Sequence, residues 1–183
     1  MELIELEEEE LVEKIDAVDL NALLENSEIG AADIPIIRFK RIFMDRDGDT
    51  VHQLIAKQKG DCVLFIKRVT YTHCCDPDLD SAETDGFYLS DEKAMKLYSL
   101  LASEVSKVEH FYDDEPSVGE YAYVTTKDGD DEWDSESDAM FATPTIFAIF
   151  KEFVAMVAEE HGDCYGVGDT YSFLLSYGSF LED

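Results

Sequence analysis

Three groups of residues in this 183-residue chain have types and spacings that could do chemistry. His73 is followed directly by Cys74 and Cys75, and His161 precedes Cys164 in an H-x-x-C spacing. Imidazole and thiolate donors of this kind serve as zinc ligands or as the base and nucleophile of a Cys/His enzyme. Zinc takes tetrahedral N and S donors, and adjacent residues on a strand point to opposite faces, so only part of the first group can serve one ion. Free cysteines more commonly pack as small hydrophobes. A nucleophile, Cys164 or Cys74 with His52, His73, His110 or His161 as base, would also need a lowered thiol pKa, which surrounding negative charge opposes.

The third group is DRDGDT, with Asp45, Asp47 and Asp49 at positions one, three and five of an EF-hand-like calcium loop. That loop requires glycine at position six and a bidentate glutamate at position twelve, and Thr50 and Ala56 stand there. The stretch reads better as a hairpin turn in which Asp-Gly supplies a positive φ. No glycine-rich phosphate loop or cofactor fingerprint occurs. The expectation is therefore a protein that is not an enzyme, with no cofactor and no metal.

What does stand out is charge. Forty-three acids against fourteen Lys and Arg give −29, whereas solubility of a domain this size needs only about 2–8 charges. A halophilic surface is one explanation, but Lys outnumbers Arg ten to four, and eleven Phe, nine Tyr and four Cys argue against it. The acids gather at Glu7, Glu8, Glu9 and Glu10; at Asp76, Asp78 and Asp80; at Asp113, Asp114 and Glu115; and over 128–138. That last run holds Asp128, Asp130, Asp131, Glu132, Asp134, Glu136 and Asp138 around the lone tryptophan, Trp133. An indole amid carboxylates is a partner anchor or a lid on the core.

The elements that must position these groups follow from periodicity. Residues 1–28, with eleven acids and one lysine, read as an acidic N-terminal helix, broken near Asp19 and lying against or extending from a single α+β domain over 29–183. The segment 34–75 alternates apolar and basic residues through DRDGD and GD turns and predicts a three-stranded antiparallel meander. Residues 76–85 read as an acidic loop before a short strand, GFYL. Ser90 is the expected N-cap of a helix with Leu97, Tyr98, Leu101 and Val105 on one stripe, and EYAYVTT is a strand that leaves into the 128–138 loop. Thr143 caps a last long helix, with Pro144 at its first position and Gly162 closing it. Residues 163–183 read as either strand or short helix. The fold class is α+β: an antiparallel sheet of four or five strands with two long helices packed on one face.

Residues 29–75 are the exception to the acidity, with eight bases and five acids, a net of +3. Arg38, Lys40, Arg41, Lys57, Lys59, Lys67 and Arg68 either neutralise the acidic helices of their own domain or of a second subunit, or form a positive face. In the second case Arg38, Lys40, Arg41, Lys67 and Arg68 would touch nucleic acid directly; the alternation, which suits an ordinary solvated strand face, weighs for the first.

The acidic clusters set a scale. Duplex DNA carries one charge per ~1.7 Å, so 29 charges correspond to roughly 50 Å of duplex, against a domain diameter near ~40 Å. In size, charge and lack of catalytic motifs the chain resembles the acidic nucleic-acid mimics of phages and mobile elements, the anti-CRISPR and anti-restriction inhibitors. The resemblance implies a cytoplasmic inhibitor in a bacterial host that binds a basic nuclease, a CRISPR nuclease before a restriction enzyme, and blocks its nucleic-acid channel. The alternative is an acidic adaptor without mimicry; a divalent-cation-binding protein or a Cys/His enzyme fits less well. The start, MELIELEEEE, lacks the pattern of a secretory signal, no apolar window spans a membrane, and four unevenly spaced cysteines suit reduced thiols. Homodimerisation through the aromatic C-terminus is open.

Overall fold

The computed structural model describes residues 3–30, 34–108, 123–126, 139–163, 165–176 and 179–181. In chain order these form β1 (Leu3–Glu5), α1 (Glu8–Asp16), α2 (Leu20–Glu25), β2 (Ile36–Met44), β3 (Gly48–Lys59), β4 (Cys62–His73), a 3₁₀ turn (Pro77–Leu79) and β5 (Ser81–Leu89). They continue with α3 (Glu92–Lys107), β6 (Tyr123–Thr125), β7 (Ala139–Phe141), α4 (Pro144–His161), α5 (Val167–Leu175) and β8 (Ser179–Leu181).

The fold is α+β. Its main sheet is antiparallel with six strands in the order β5-β4-β3-β2-β6-β7, and β1 pairs with β8 in a separate two-stranded ribbon. The expected meander is β2-β3-β4. Its second turn uses Gly60 at φ +61, the left-handed conformation that a tight hairpin favours. Gly48 plays a different part from the expected one, because its φ is not positive. A Cβ there would overlap the Thr72 carbonyl oxygen and come within 3.0 Å of His73 Cα, so the residue is needed for close approach of β3 to β4.

Strand alternation puts Ile37, Phe39, Leu54, Ala56, Val63, Phe65, Phe87 and Leu89 on the face that α3 and α4 cover. Phe39 meets Phe147 edge to face at 5.0 Å between centroids, and Phe65 stacks on Phe153 at 5.3 Å. Helix α4 starts as expected, with the Thr143 hydroxyl accepting from Ile146 N and Pro144 in the first turn, and Gly162 ends it. For α3 the cap is Asp91, one residue beyond the expected Ser90; its carboxylate accepts from Lys93 N.

Of the further expectations, the strand count and the start of the chain are corrected, the break near Asp19 is found, and two open alternatives are resolved. The sheet has six strands because Ala139–Phe141, not expected as strand, pairs with β6 as β7. Residues 81–85, expected as loop, lengthen the GFYL strand into the nine-residue β5, since the twelve-residue β4 offers its free edge to pair with. Polar residues are tolerated there because β5 is an edge strand, where charge discourages pairing with another chain. The N-terminal segment is two helices, split at Ala17–Asp19 with Asp19 capping α2, and is preceded by a strand. Leu11, Ile15 and Leu24 enter the main core, so α1 and α2 pack against the body. The C-terminal segment supplies both a helix, α5, and a strand, β8.

The lysines join elements across the acidic exterior. Lys151 of α4 pairs with Asp16 of α1, and Lys93 of α3 with Glu152 of α4. Exposed pairs of this kind contribute little each.

Candidate functional site: an acidic end over a buried basic cluster

Two of the four expected acidic clusters fall on described residues. Glu7, Glu8, Glu9 and Glu10 are all exposed, and the last three form the first turn of α1, where carboxylates suit the positive end of the helix. Asp76, Asp78 and Asp80 are exposed around the 3₁₀ turn. There Asp76 accepts from Asp78 N at 3.1 Å and Asp80 Oδ1 from His73 N at 2.7 Å, so two of the three carboxylates also hold the turn. Asp113, Asp114, Glu115, Asp128, Asp130, Asp131, Glu132, Trp133, Asp134, Glu136 and Asp138 lie outside the described residues.

The structure adds acids that periodicity assigned only to a turn. Asp45 and Asp47, in the β2–β3 hairpin, come to the same end of the sheet as the 3₁₀ turn. Cys74 N donates to Asp47 O at 3.0 Å, and Asp47, Asp45 and Asp80 all act on Tyr71. Partial burial first, then Asp47, Cys74, Asp45 and Asp80, push the Tyr71 hydroxyl pKa up. Asp45, Asp47, Asp76, Asp78 and Asp80 thus form one anionic end, joined across some thirty residues of sequence by antiparallel pairing of β3 with β4. Among the described residues no group of three or more His, Cys, Asp or Glu is arranged to hold a metal ion. The expected H-x-x-C pair is half outside the described residues at Cys164, and His161 is exposed.

Behind this end, the helix-covered face of the sheet turns from apolar to basic. Arg41 stands opposite His52 on β3, and Lys67 stands opposite Leu54 on β4, one pleat from His52. Both bases are 5% exposed. Helix α5 lies over them. Arg41 Nη1 donates to Phe173 O at 2.9 Å and to Ser176 O, satisfying carbonyls at the C-terminal end of α5, and its guanidinium lies 5.3 Å from the Phe173 ring centroid. Lys67 Nζ donates to Glu83 Oε1 at 2.5 Å and lies 3.9 Å from Asp85 Oδ2, both on β5.

Arg38, Lys40 and Arg68 occupy the opposite sheet face, and each has an interaction partner. Lys57 lies on that face too, half-buried, while Lys59 is exposed at the hairpin. The alternating bases therefore split between two faces, and the expectation of one solvated basic face does not extend to Arg41 and Lys67. Lys40, on the other face, is buried as well, whereas Arg38 and Arg68 are half-buried. Odd and even positions of one strand point opposite ways, so seven bases on three strands do not make one patch.

His52 stacks on Phe173 with centroids 3.9 Å apart, and its buried Nδ1 has no hydrogen-bond partner among the described residues. Burial first, then Lys67 and Arg41, lower its pKa. The unfolded chain therefore takes up this proton at higher pH than the folded one. As pH falls below about 6.5 stability drops, and the loss is complete once the lower folded pKa has been passed. His52→Asn is expected to flatten that part of the profile, measured as urea midpoint between pH 7.5 and 5.5; an unchanged slope would show that His52 does not contribute.

Comparison with protein-family models, with curated proteins and with solved structures finds no match to this chain. No helix among the described residues is long and apolar enough to cross a membrane.

Proposed function

We propose that the protein is a non-enzymatic acidic inhibitor that occupies the basic nucleic-acid channel of a nuclease, in first place a CRISPR nuclease, by charge mimicry. The observation that carries this reading is the convergence of Asp45, Asp47, Asp76, Asp78 and Asp80 at one end of the sheet, on a chain of net charge −29. The β2–β3 hairpin turn and the 3₁₀ turn, both anchored on the paired strands β3 and β4, carry these carboxylates at one end of the sheet, and a channel built to neutralise phosphates gains counter-charges from them. The internal pairing of Lys67 with Glu83 and the capping of α5 by Arg41 favour it further, since both bases are spent inside the fold.

Three results are expected with a purified guide-loaded CRISPR nuclease. Affinity falls on the order of ten-fold or more between about 50 and 500 mM NaCl. Asp47→Lys with Asp78→Lys, two exposed positions, weakens binding at low salt by a further ~10-fold. Excess duplex DNA displaces the protein from the enzyme. Binding that ignores both salt and DNA would instead indicate an acidic adaptor, which recognises a basic protein at a surface nucleic acid does not use.

A further inference from the structure

In an extended strand the side chains of Cys74 and Cys75 would point to opposite faces. Here β4 ends at His73 and the chain bends. His73 Nδ1 accepts from both Cys75 N, at 3.2 Å, and Asp76 N, at 2.9 Å, so the neutral imidazole folds the next two peptides around itself. The bend brings the two sulfurs to 3.2 Å from each other, and both residues are exposed.

We propose that Cys74 and Cys75 are a modification site for small uncharged peroxides, closing to a disulfide between adjacent residues. One sulfur, as thiolate, attacks the peroxide: an S–O bond forms, the O–O bond breaks, and the departing hydroxide takes up a proton and leaves as water. The neighbouring sulfur then attacks the sulfenic acid, the S–S bond forms, the S–O bond breaks, and a second water leaves. Two thiols and one hydrogen peroxide give one disulfide and two waters; the sulfurs lose two electrons and the peroxide oxygens gain them. The hydrogen bond with Cys75, then desolvation, raise the Cys74 pKa. The contact between the sulfurs is symmetric, so either can meet the peroxide and the other resolve it.

Charge selects the oxidant class. Asp47 acts on Cys74, and Asp45, Asp76, Asp78 and Asp80 share this end of the sheet with Arg46, whose carbonyl faces the Cys74 sulfur. The net negative field repels anionic disulfides such as oxidised glutathione but not neutral hydrogen peroxide, and it slows the reaction by disfavouring the thiolate. The second step is intramolecular between sulfurs already in contact, so it outruns further oxidation by peroxide. Adjacent Cα atoms lie ~3.8 Å apart across a trans peptide, less than the ~4.4–6.8 Å of ordinary disulfides. The closed ring is therefore strained and easily reduced, a reversible mark rather than a structural staple. Its effect falls on the acidic end of the sheet whatever that end binds.

The test is peroxide treatment of the reduced full-length chain, quenched with catalase, followed by thiol titration, intact mass and peptide mapping. The expected result is a thiol count falling from four to two per chain, a mass lower by two hydrogens, the link mapped to Cys74–Cys75, and full reversal by dithiothreitol. Cys75→Ser is expected to lose no hydrogens. The proposal is overturned if the wild-type chain keeps all its thiols, accumulates sulfinic acid at Cys74 or Cys75 without disulfide, forms cross-linked dimers, or loses hydrogens from Cys62 and Cys164 instead.

Discussion

Phe150→Ala is expected to lower the unfolding free energy by about 3–5 kcal/mol, the largest single effect foreseen for this chain. Phe150 is fully buried and touches three other rings: Phe39 at 5.2 Å, Phe65 at 6.4 Å and Phe153 at 6.5 Å between centroids. These rings come from β2, β4 and α4, so truncation opens a cavity where helix and sheet meet and removes aromatic contacts from both sides. Phe43→Ala is the matched control. Phe43 is 45% exposed on the same strand as Phe39 and should cost about 0.5 kcal/mol or less. Urea unfolding with a common slope would measure both. A difference between them smaller than about 1 kcal/mol would mean that the sheet–helix core is not where stability resides.

The second large effect concerns charge. Glu83→Gln combined with Asp85→Asn removes two acids from a chain of net −29, and relief of self-repulsion alone would make the variant slightly more stable. The opposite is expected, a loss of about 2–3 kcal/mol, because the Lys67 ammonium remains at 6% exposure without the two carboxylates that pair with it among the described residues. That is less than the ~3–5 kcal/mol of a fully buried pair, since Glu83 is itself 66% exposed. Adding Lys67→Met to the same variant should restore most of the loss, as an apolar side chain of similar size needs no counter-charge. Glu159→Gln with Asp163→Asn gives the same change in net charge at exposed positions and should not destabilise. If the two charge-matched variants behave alike, the Lys67 cluster has no special energetic role.

Much of the local structure could be read from residue order. The alternation in 34–75 and the Gly60–Asp61 turn give β2, β3 and β4, while Thr143, Pro144 and Gly162 mark the ends of α4 almost to the residue. These signals survive because a cap or a two-residue turn is decided by neighbours a few positions away. Residues 81–85 show the opposite case. Ser-Ala-Glu-Thr-Asp has no apolar alternation and reads as loop, yet it is strand because β4 presents nine residues of unpaired edge to it. Edge pairing is a through-space decision that composition does not encode.

The candidate site divides the same way. That this chain carries −29, that Glu7, Glu8, Glu9, Glu10, Asp76, Asp78 and Asp80 are acidic clusters, and that Cys74 and Cys75 are adjacent are all determined by the sequence by itself. Only the tertiary structure decided that Asp45 and Asp47 join the 76–80 turn, that Arg41 and Lys67 are covered by α5 while Arg38 and Arg68 face the other way, and that the two sulfurs meet. The reason is physical. Charge is a sum over residues and needs no geometry, whereas facing depends on strand register and bend, where one residue of slip turns every side chain to the opposite face.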